Sequence, residues 1–300
     1  MSALIQALKR MAPQPVRTLG RAVLRRWQGE GLPATGRGTV QDLYYWVSDG
    51  RTDTNVLLNN FYSVFFPTAQ TDTRGSIIAF AADGRRLGST EVAVGHLQCV
   101  KLTMSRLLDQ WNRAAAAASG GRQSPGAAPF GSLLFNLEIP PAVLQRLAGV
   151  QGPWYFWHRF YIEYVTASSQ PAFVHCVDKT LVLRERGRPL AWYRAPKPRD
   201  WAPEMPLRIG QYRRVWVILI NRTRQPAPVA LTVEDADDRA ERFAAAIPPG
   251  GVHRFELTPA LLRRLAPGDL RMRVSGLPTT WARPVLFKEF ENGTISTMHC

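Results

Sequence analysis

From about residue 40 onward, apolar and polar positions alternate with a period of two, in short runs separated by turn residues. That period sends successive side chains to opposite faces of an extended chain and predicts half-buried β-strands. In the first half, strands are expected at 42–47, 56–58, 76–80, 91–94 and 132–139, with Asp83-Gly84 as a hairpin turn. Residues 102–111 predict a short helix that runs into a stretch of alanines. The Ala/Gly/Ser/Pro-rich segment 114–130 reads as a loop insertion, and Pro140-Pro141 opens a second short helix. The most aromatic run follows. Trp154, Phe156, His158, Phe160, Ile162 and Tyr164 share one face of an expected strand, and Tyr155, Trp157, Arg159, Tyr161 and Glu163 share the other. Both faces are partly aromatic, so both are expected to be covered by another domain or subunit. Strands at 172–177 and 180–184 close this half. In the second half, strands are expected at 214–220, 228–233, 253–257, 270–274, 284–290 and 294–298. The turns Asp235 to Asp238, Pro248-Pro249-Gly250-Gly251 and Asn292-Gly293 separate them.

Short alternating strands at regular spacing predict an all-β fold of two tandem β-sandwich domains. The expected division is a basic helical arm at 1–38, a first sandwich at 39–188, a Pro/Trp-rich linker at 189–206 and a second sandwich at 207–300. In the arm, Val16, Leu19, Val23, Leu24 and Trp27 recur at helical spacing, with Arg17, Arg21, Arg25 and Arg26 mostly off that face. A basic amphipathic helix carrying a tryptophan suits an anionic membrane or a partner surface as well as its own domain.

The two halves also repeat. The first runs from Phe135 through Pro141–Ala148 to His175-Cys176, and the second from Phe255 through Pro259–Ala266 to His299-Cys300. A competing register lays Asn59-Asn60, Asp83-Gly84 and Leu102–Leu108 on Asn221, Asp235–Asp238 and Leu257–Leu262. The order strand, Asn, strand, Asp-rich turn, strand, Pro/Gly turn, strand, Leu-rich turn resembles small bacterial immunoglobulin-like sandwiches, including the sensory-rhodopsin-transducer type. The resemblance covers residues 215–265 well and the first half loosely. It implies a sandwich fold and binding in place of catalysis, and it carries no site residues.

The net charge of +15 changes the picture by pointing to an acidic partner: a membrane surface, an acidic protein or a nucleic acid. Lysine occurs only at Lys9, Lys101, Lys179, Lys197 and Lys288, so arginine supplies nearly all of the 38 basic residues. Those arginines are dispersed and no basic–aromatic recognition motif is present, which disfavours nucleic acid. No apolar run reaches the roughly 18 residues that a membrane-spanning helix needs. The N-terminus carries no continuous apolar stretch of a secretory signal. An odd count of three cysteines reads as a reducing compartment. Together these predict a cytoplasmic protein, peripheral to the inner membrane if its arm attaches it.

Candidate chemistry is sparse. Each cysteine lies within three residues of a histidine: His96/Cys99, His175/Cys176 and His299/Cys300. These are soft metal ligands, and zinc or another transition metal is the alternative to no cofactor. Adjacent strand residues point to opposite faces, however, so a His-Cys dipeptide in regular strand cannot chelate one ion. Buried cysteine acting as a small apolar residue is the simpler account. Glu138, Glu163, Glu289 and Glu291 lie on or near strands, and surface positions account for them. Asp49, Asp53 and Asn55 have calcium-loop composition without the spacing of a calcium loop. No glycine-rich phosphate loop and no nucleophile elbow occurs. The reading favoured is a non-catalytic accessory or scaffold protein. It would dock on a protein complex or anionic membrane through Arg17, Arg21, Arg25, Arg26 and Trp27 of the arm and Tyr155, Trp157 and Tyr161 of the aromatic strand, with self-association also open. The alternatives are a metal protein or enzyme using the His/Cys pairs and a carbohydrate-binding module using exposed aromatics.

Overall fold

A computed structural model describes residues 37–118, 129–148, 160–167, 170–175, 180–185, 188–190, 199–201, 204–205, 212–221, 225–265, 270–277 and 284–299. The arm residues Arg17, Arg21, Arg25, Arg26 and Trp27, together with Tyr155, Trp157, Cys176 and Cys300, lie outside the described residues. The described chain is mostly strand, as the period of two demands. The first half contains β1 (Arg37–Val47), β2 (Thr52–Asn59), α1 (Tyr62–Phe65), β3 (Thr73–Ala81), β4 (Arg86–Val94), β5 (Cys99–Thr103), α2 (Met104–Ala118), β6 (Phe130–Glu138), α3 (Pro141–Ala148), β7 (Tyr161–Thr166), β8 (Ala172–His175) and β9 (Thr180–Glu185). Three short strands follow, β10 (Arg188–Leu190), β11 (Arg199–Trp201) and β12 (Glu204–Met205). The second half contains β13 (Tyr212–Ile220), β14 (Ala227–Glu234), β15 (Ala240–Ile247), β16 (Val252–Leu257), α4 (Pro259–Arg264), β17 (Leu270–Leu277), β18 (Val285–Phe290) and β19 (Ile295–His299).

Among the described residues these strands form four sheets. The first has the order β10-β9-β1-β6-β3-β4, the second β5-β2-β7-β8, the third β16-β13-β18-β19 and the fourth β11-β17-β14-β15, with β12 also on β17. The second and third sheets therefore repeat one strand order, and β6-β3-β4 repeats as β17-β14-β15. This resolves the register. The counterpart of α4 is α2, since each follows the strand that edges its sheet, β16 and β5. The helix of Pro141–Ala148 instead follows β6, so its alignment on Pro259–Ala266 is corrected: the two Leu/Arg-rich turns are alike in composition but follow strands at different places in the repeat. The His175 and His299 ends do correspond, as each closes the last strand of its sheet.

The third sheet explains the unbroken apolar run Val215–Ile220, in which every residue is buried. Trp216, Ile218, Ile220, Val285 and Phe287 join a core with Tyr44, Tyr45, Val56, Phe135 and Tyr164 of the first half. Val215, Val217, Leu219 and Leu286 join a second core with Leu231, Val233, Met272 and Val274 of the fourth sheet. A sheet covered on both faces reads as a continuous apolar run and loses its alternation. Where the halves meet, Ser132 Oγ donates to Gly250 O at 2.6 Å and Val252 N to Ala82 O at 2.9 Å. Gly84 takes φ +82° in its turn, and a side chain there would collide with the Pro249 carbonyl.

Short strands occur within and beside the stretch read as a linker: β10 on an edge of the first sheet, β11 on an edge of the fourth and β12 against β17. Proline bars a strand from the middle of a sheet but not from its edge. Of the glutamates expected on the surface, Glu163 and Glu289 are buried. Glu163 alternates with the inward Ile162 and Tyr164, and Glu289 lies on the Val285 and Phe287 face at the end of β18, but cationic partners cover both. Lys101 covers Glu163, and Arg51, Arg213 and Arg214 surround Glu289, with Arg214 Nε 3.1 Å from Glu289 Oε2.

Candidate functional site

One end of the first half carries an apolar tip on a polar foundation. Asn60 follows β2 and is buried, and its Nδ2 donates to the carbonyls of Thr71 at 2.8 Å and Gly95 at 2.9 Å. Its backbone N–H donates to Gln98 O at 2.9 Å. These bonds tie the β2–β3 and β4–β5 connections together. Under them, Ser63 Oγ lies 3.0 Å from Thr71 Oγ1, which lies 2.7 Å from His96 Nδ1, and Leu97 N donates to Ser63 Oγ at 2.8 Å. The network buries Tyr62 and Ser63 in the single turn of α1 and turns the other side outward. Val64, Phe65 and Leu97 are 71%, 54% and 68% exposed. Leu97 sits at φ +54°, in a left-handed conformation that costs a leucine about 1 kcal/mol or more. The fold thus holds a strained apolar side chain out in water.

The outer face of the second sheet is the other polar cluster. Asn55 lies opposite Thr103 on one side and Glu163 on the other, and Glu163 lies opposite Phe173. Thr103 Oγ1 donates to Asn55 Oδ1 at 2.8 Å, Asn55 Nδ2 donates to Glu163 Oε2 at 2.7 Å, and Lys101 Nζ reaches the same oxygen at 2.6 Å. Next along the ladder, Tyr161 pairs with His175, their rings edge to face at 5.8 Å. Phe173 is 49% exposed beside them. A carboxylate fixed by an ammonium and an amide, beside the rings of Tyr161 and His175, forms a polar ledge.

Of the residues singled out from sequence, the structure brings Tyr161 and His175 together on this ledge. It places His96 elsewhere, in the foundation of the tip, where its Nδ1 is engaged by Thr71. Cys99 opens β5 as an exposed free thiol, not the buried apolar residue expected, and what burial it has pushes its pKa up while Lys101 opposes. His299 ends β19. Among the described residues, no group of three or more His, Cys, Asp or Glu side chains assembles in a metal-holding arrangement. Asp49 and Asp53 cap backbone N–H groups, at Arg51 and Thr52 and at Thr54 and Ser105 respectively. These are turn and helix-start roles. Sequence reasoning missed the tip. The signal was present in the apolar run Phe61–Phe66 between Asn60 and Pro67, where a turn and not a strand is expected.

No protein-family model and no curated protein matches the chain. The solved structures it resembles include a tetra-tandem repeat in the extending region of a large adhesion protein. That match has 12% identity over 87% of this chain and 49% of that one, at a TM-score of 0.18. A β-glucuronidase 2 of Bacteroides uniformis, bound to cyclophellitol-6-carboxylate aziridine, aligns at 11% identity over 88% of this chain and 26% of that one, TM-score 0.16. A β-glucuronidase of Parabacteroides merdae aligns at 11% identity over 88% of this chain and 27% of that one, TM-score 0.17. The chain spans half or less of each of these proteins, and superpositions this loose carry no argument about its role. The sensory-rhodopsin-transducer resemblance has no counterpart among these matches.

Proposed function

We propose that the chain is a non-catalytic docking protein: two tandem immunoglobulin-like β-sandwiches, each repeating the strand order described above, that attach to a protein complex or an anionic membrane surface. The observation that carries this reading is the tip of Val64, Phe65 and Leu97, three large apolar side chains more than half exposed on a foundation of buried hydrogen bonds. Exposed apolar groups on a rigid support mark contact surfaces more often than catalytic ones. The basic arm, with Arg17, Arg21, Arg25, Arg26 and Trp27, supplies a second attachment, and the net charge of +15 supplies long-range attraction to either kind of acidic target.

Fractionation of cells that produce the tagged chain tests it. The wild-type chain is expected in a membrane or large-complex fraction, and variants altered at the tip or with the four arm arginines changed to Gln should move to the free pool. A wild-type chain found wholly free would sink the docking reading.

A further inference from the structure

We infer that the target of the tip is the anionic lipid bilayer itself, with Val64, Phe65 and Leu97 inserting among the headgroups; this rests on the docking reading above. Three observations favour lipid over a protein pocket. The first is size. Large apolar side chains present about 150–200 Å² each, so three of them half to seven-tenths exposed offer on the order of 300 Å², against about 800 Å² per partner at a standard protein interface. A contact that small is weak between proteins, but a bilayer adds charge attraction to it and demands no matching shape.

The second is charge. A chain at +15 repels its own copies and is drawn to an anionic surface. The charged groups beside the tip are the exposed Asp72, whose Oδ1 accepts from His96 N at 3.0 Å and whose Oδ2 accepts from Gln70, and Arg146, whose Nη1 donates to Thr68 Oγ1 at 3.1 Å. Attraction to an anionic surface therefore comes from the chain as a whole, and the apolar side chains make the contact. The third is construction. The exposed side chains stand on two different connections, β2–β3 and β4–β5, joined by Asn60 and by the Ser63–Thr71–His96 chain of contacts. Both connections thus present their apolar groups from one end of the fold, as insertion into a flat surface requires.

The test uses the purified full chain with vesicles of phosphatidylcholine alone and of phosphatidylcholine mixed with an equal part of phosphatidylglycerol. Three proteins are compared: the wild type, a V64S/F65S/L97N tip variant and a variant with Arg17, Arg21, Arg25 and Arg26 changed to Gln. The tip positions are exposed, and asparagine accepts the left-handed conformation of Leu97, so the tip variant should keep the wild-type melting curve. The wild type is expected to sediment with the anionic vesicles and, through screening, to bind several-fold less at high salt. The tip variant should bind at least tenfold less. A Phe65→Trp chain should show a blue-shifted difference spectrum, with quenching by brominated lipid. Anionic-vesicle binding that the tip variant retains and the arginine variant loses would overturn insertion and assign attachment to the arm, leaving the docking reading intact. Failure of the wild type to bind any vesicle while it still sediments with native membranes would also overturn lipid as the target and assign the tip to a protein. Failure in both assays would overturn both readings.

Discussion

Asn60 and Asn221 occupy the same point in the two halves. Each follows the second strand of its sheet, each is buried, and each gives its Nδ2 to carbonyls at the start and end of the next hairpin. For Asn60 these are Thr71 and Val94, and for Asn221 they are Gln225 and Ile247. Even the backbone N–H groups match, bonding to Gln98 O and Gly251 O, the residues that precede β5 and β16. Removing either amide takes a donor from carbonyls that are buried or partly buried, at about 1–3 kcal/mol. Asn60→Ala and Asn221→Ala should each lower the unfolding free energy by that amount, read as a lower urea midpoint with little change in slope. Asn60→Asp should cost more, because a carboxylate would face carbonyl oxygens. A neutral Asn221→Ala would show that the equivalence is geometric only.

Glu289 fastens the two halves. It is 4% exposed, and Arg51 of the first half reaches its Oε1 while Arg214 holds Oε2. The guanidiniums are a third to a half exposed, so they regain water when the carboxylate is lost, and the cost is smaller than for a fully buried pair. Glu289→Ala should destabilise by roughly 1–3 kcal/mol, and Arg51→Ala by less than about 1 kcal/mol. Calorimetry should still show one transition, because the shared apolar core remains.

Gly84 should be intolerant of substitution. Its φ of +82° and the Pro249 carbonyl beside it penalise any side chain twice, once in its own backbone and once across the seam. Gly84→Ala should lose about 2 kcal/mol or more and speed amide exchange at Val252, whose N–H bonds to Ala82 O. Unchanged exchange at Val252 would mean that the turn yields without moving the second half.

Alkaline pH should weaken the fold through Tyr45. Burial raises its phenol from 10.0 to about 12, with Arg254 opposing. A group whose folded pKa is raised stabilises the fold fully below its unfolded value and loses that contribution as pH climbs to the folded one. Stability should therefore fall between about pH 10 and about pH 12, by roughly 3 kcal/mol at the upper end. The buried hydroxyls of Tyr62 and Tyr164 are raised as well and add in the same direction. Ultraviolet difference titration should show these tyrosines ionising only as the protein unfolds. Arg254→Gln should raise the Tyr45 pKa further, since its guanidinium, 3.4 Å from the phenol oxygen, favours the phenolate.

Much of the strand pattern was legible because the chemistry is local. Asp83-Gly84 announces a turn that needs positive φ, and the alternation of Ile162 and Tyr164 with Tyr161 and Glu163 separates two faces, although it does not say which one meets the core. Hidden features depend on residues far apart in sequence. Glu289 reads as a surface glutamate until Arg51 is placed beside it. Leu97 reads as an ordinary apolar residue, because no local rule puts a leucine in a left-handed turn with two-thirds of its surface in water. The ledge was half visible: Tyr161 and His175 stood out as types, but only the β7–β8 register brings their rings together.

The third sheet is built wholly from residues after 211, yet it completes the core of the first half by setting Phe287 against Tyr164, ring to ring at 5.4 Å. During synthesis the first half therefore leaves the ribosome with part of its interior uncovered. It stays so until the strand ending at Phe290 has emerged and folded back. A chain ended before residue 212 would carry that uncovered apolar face permanently, and exposed apolar surface of this kind favours aggregation.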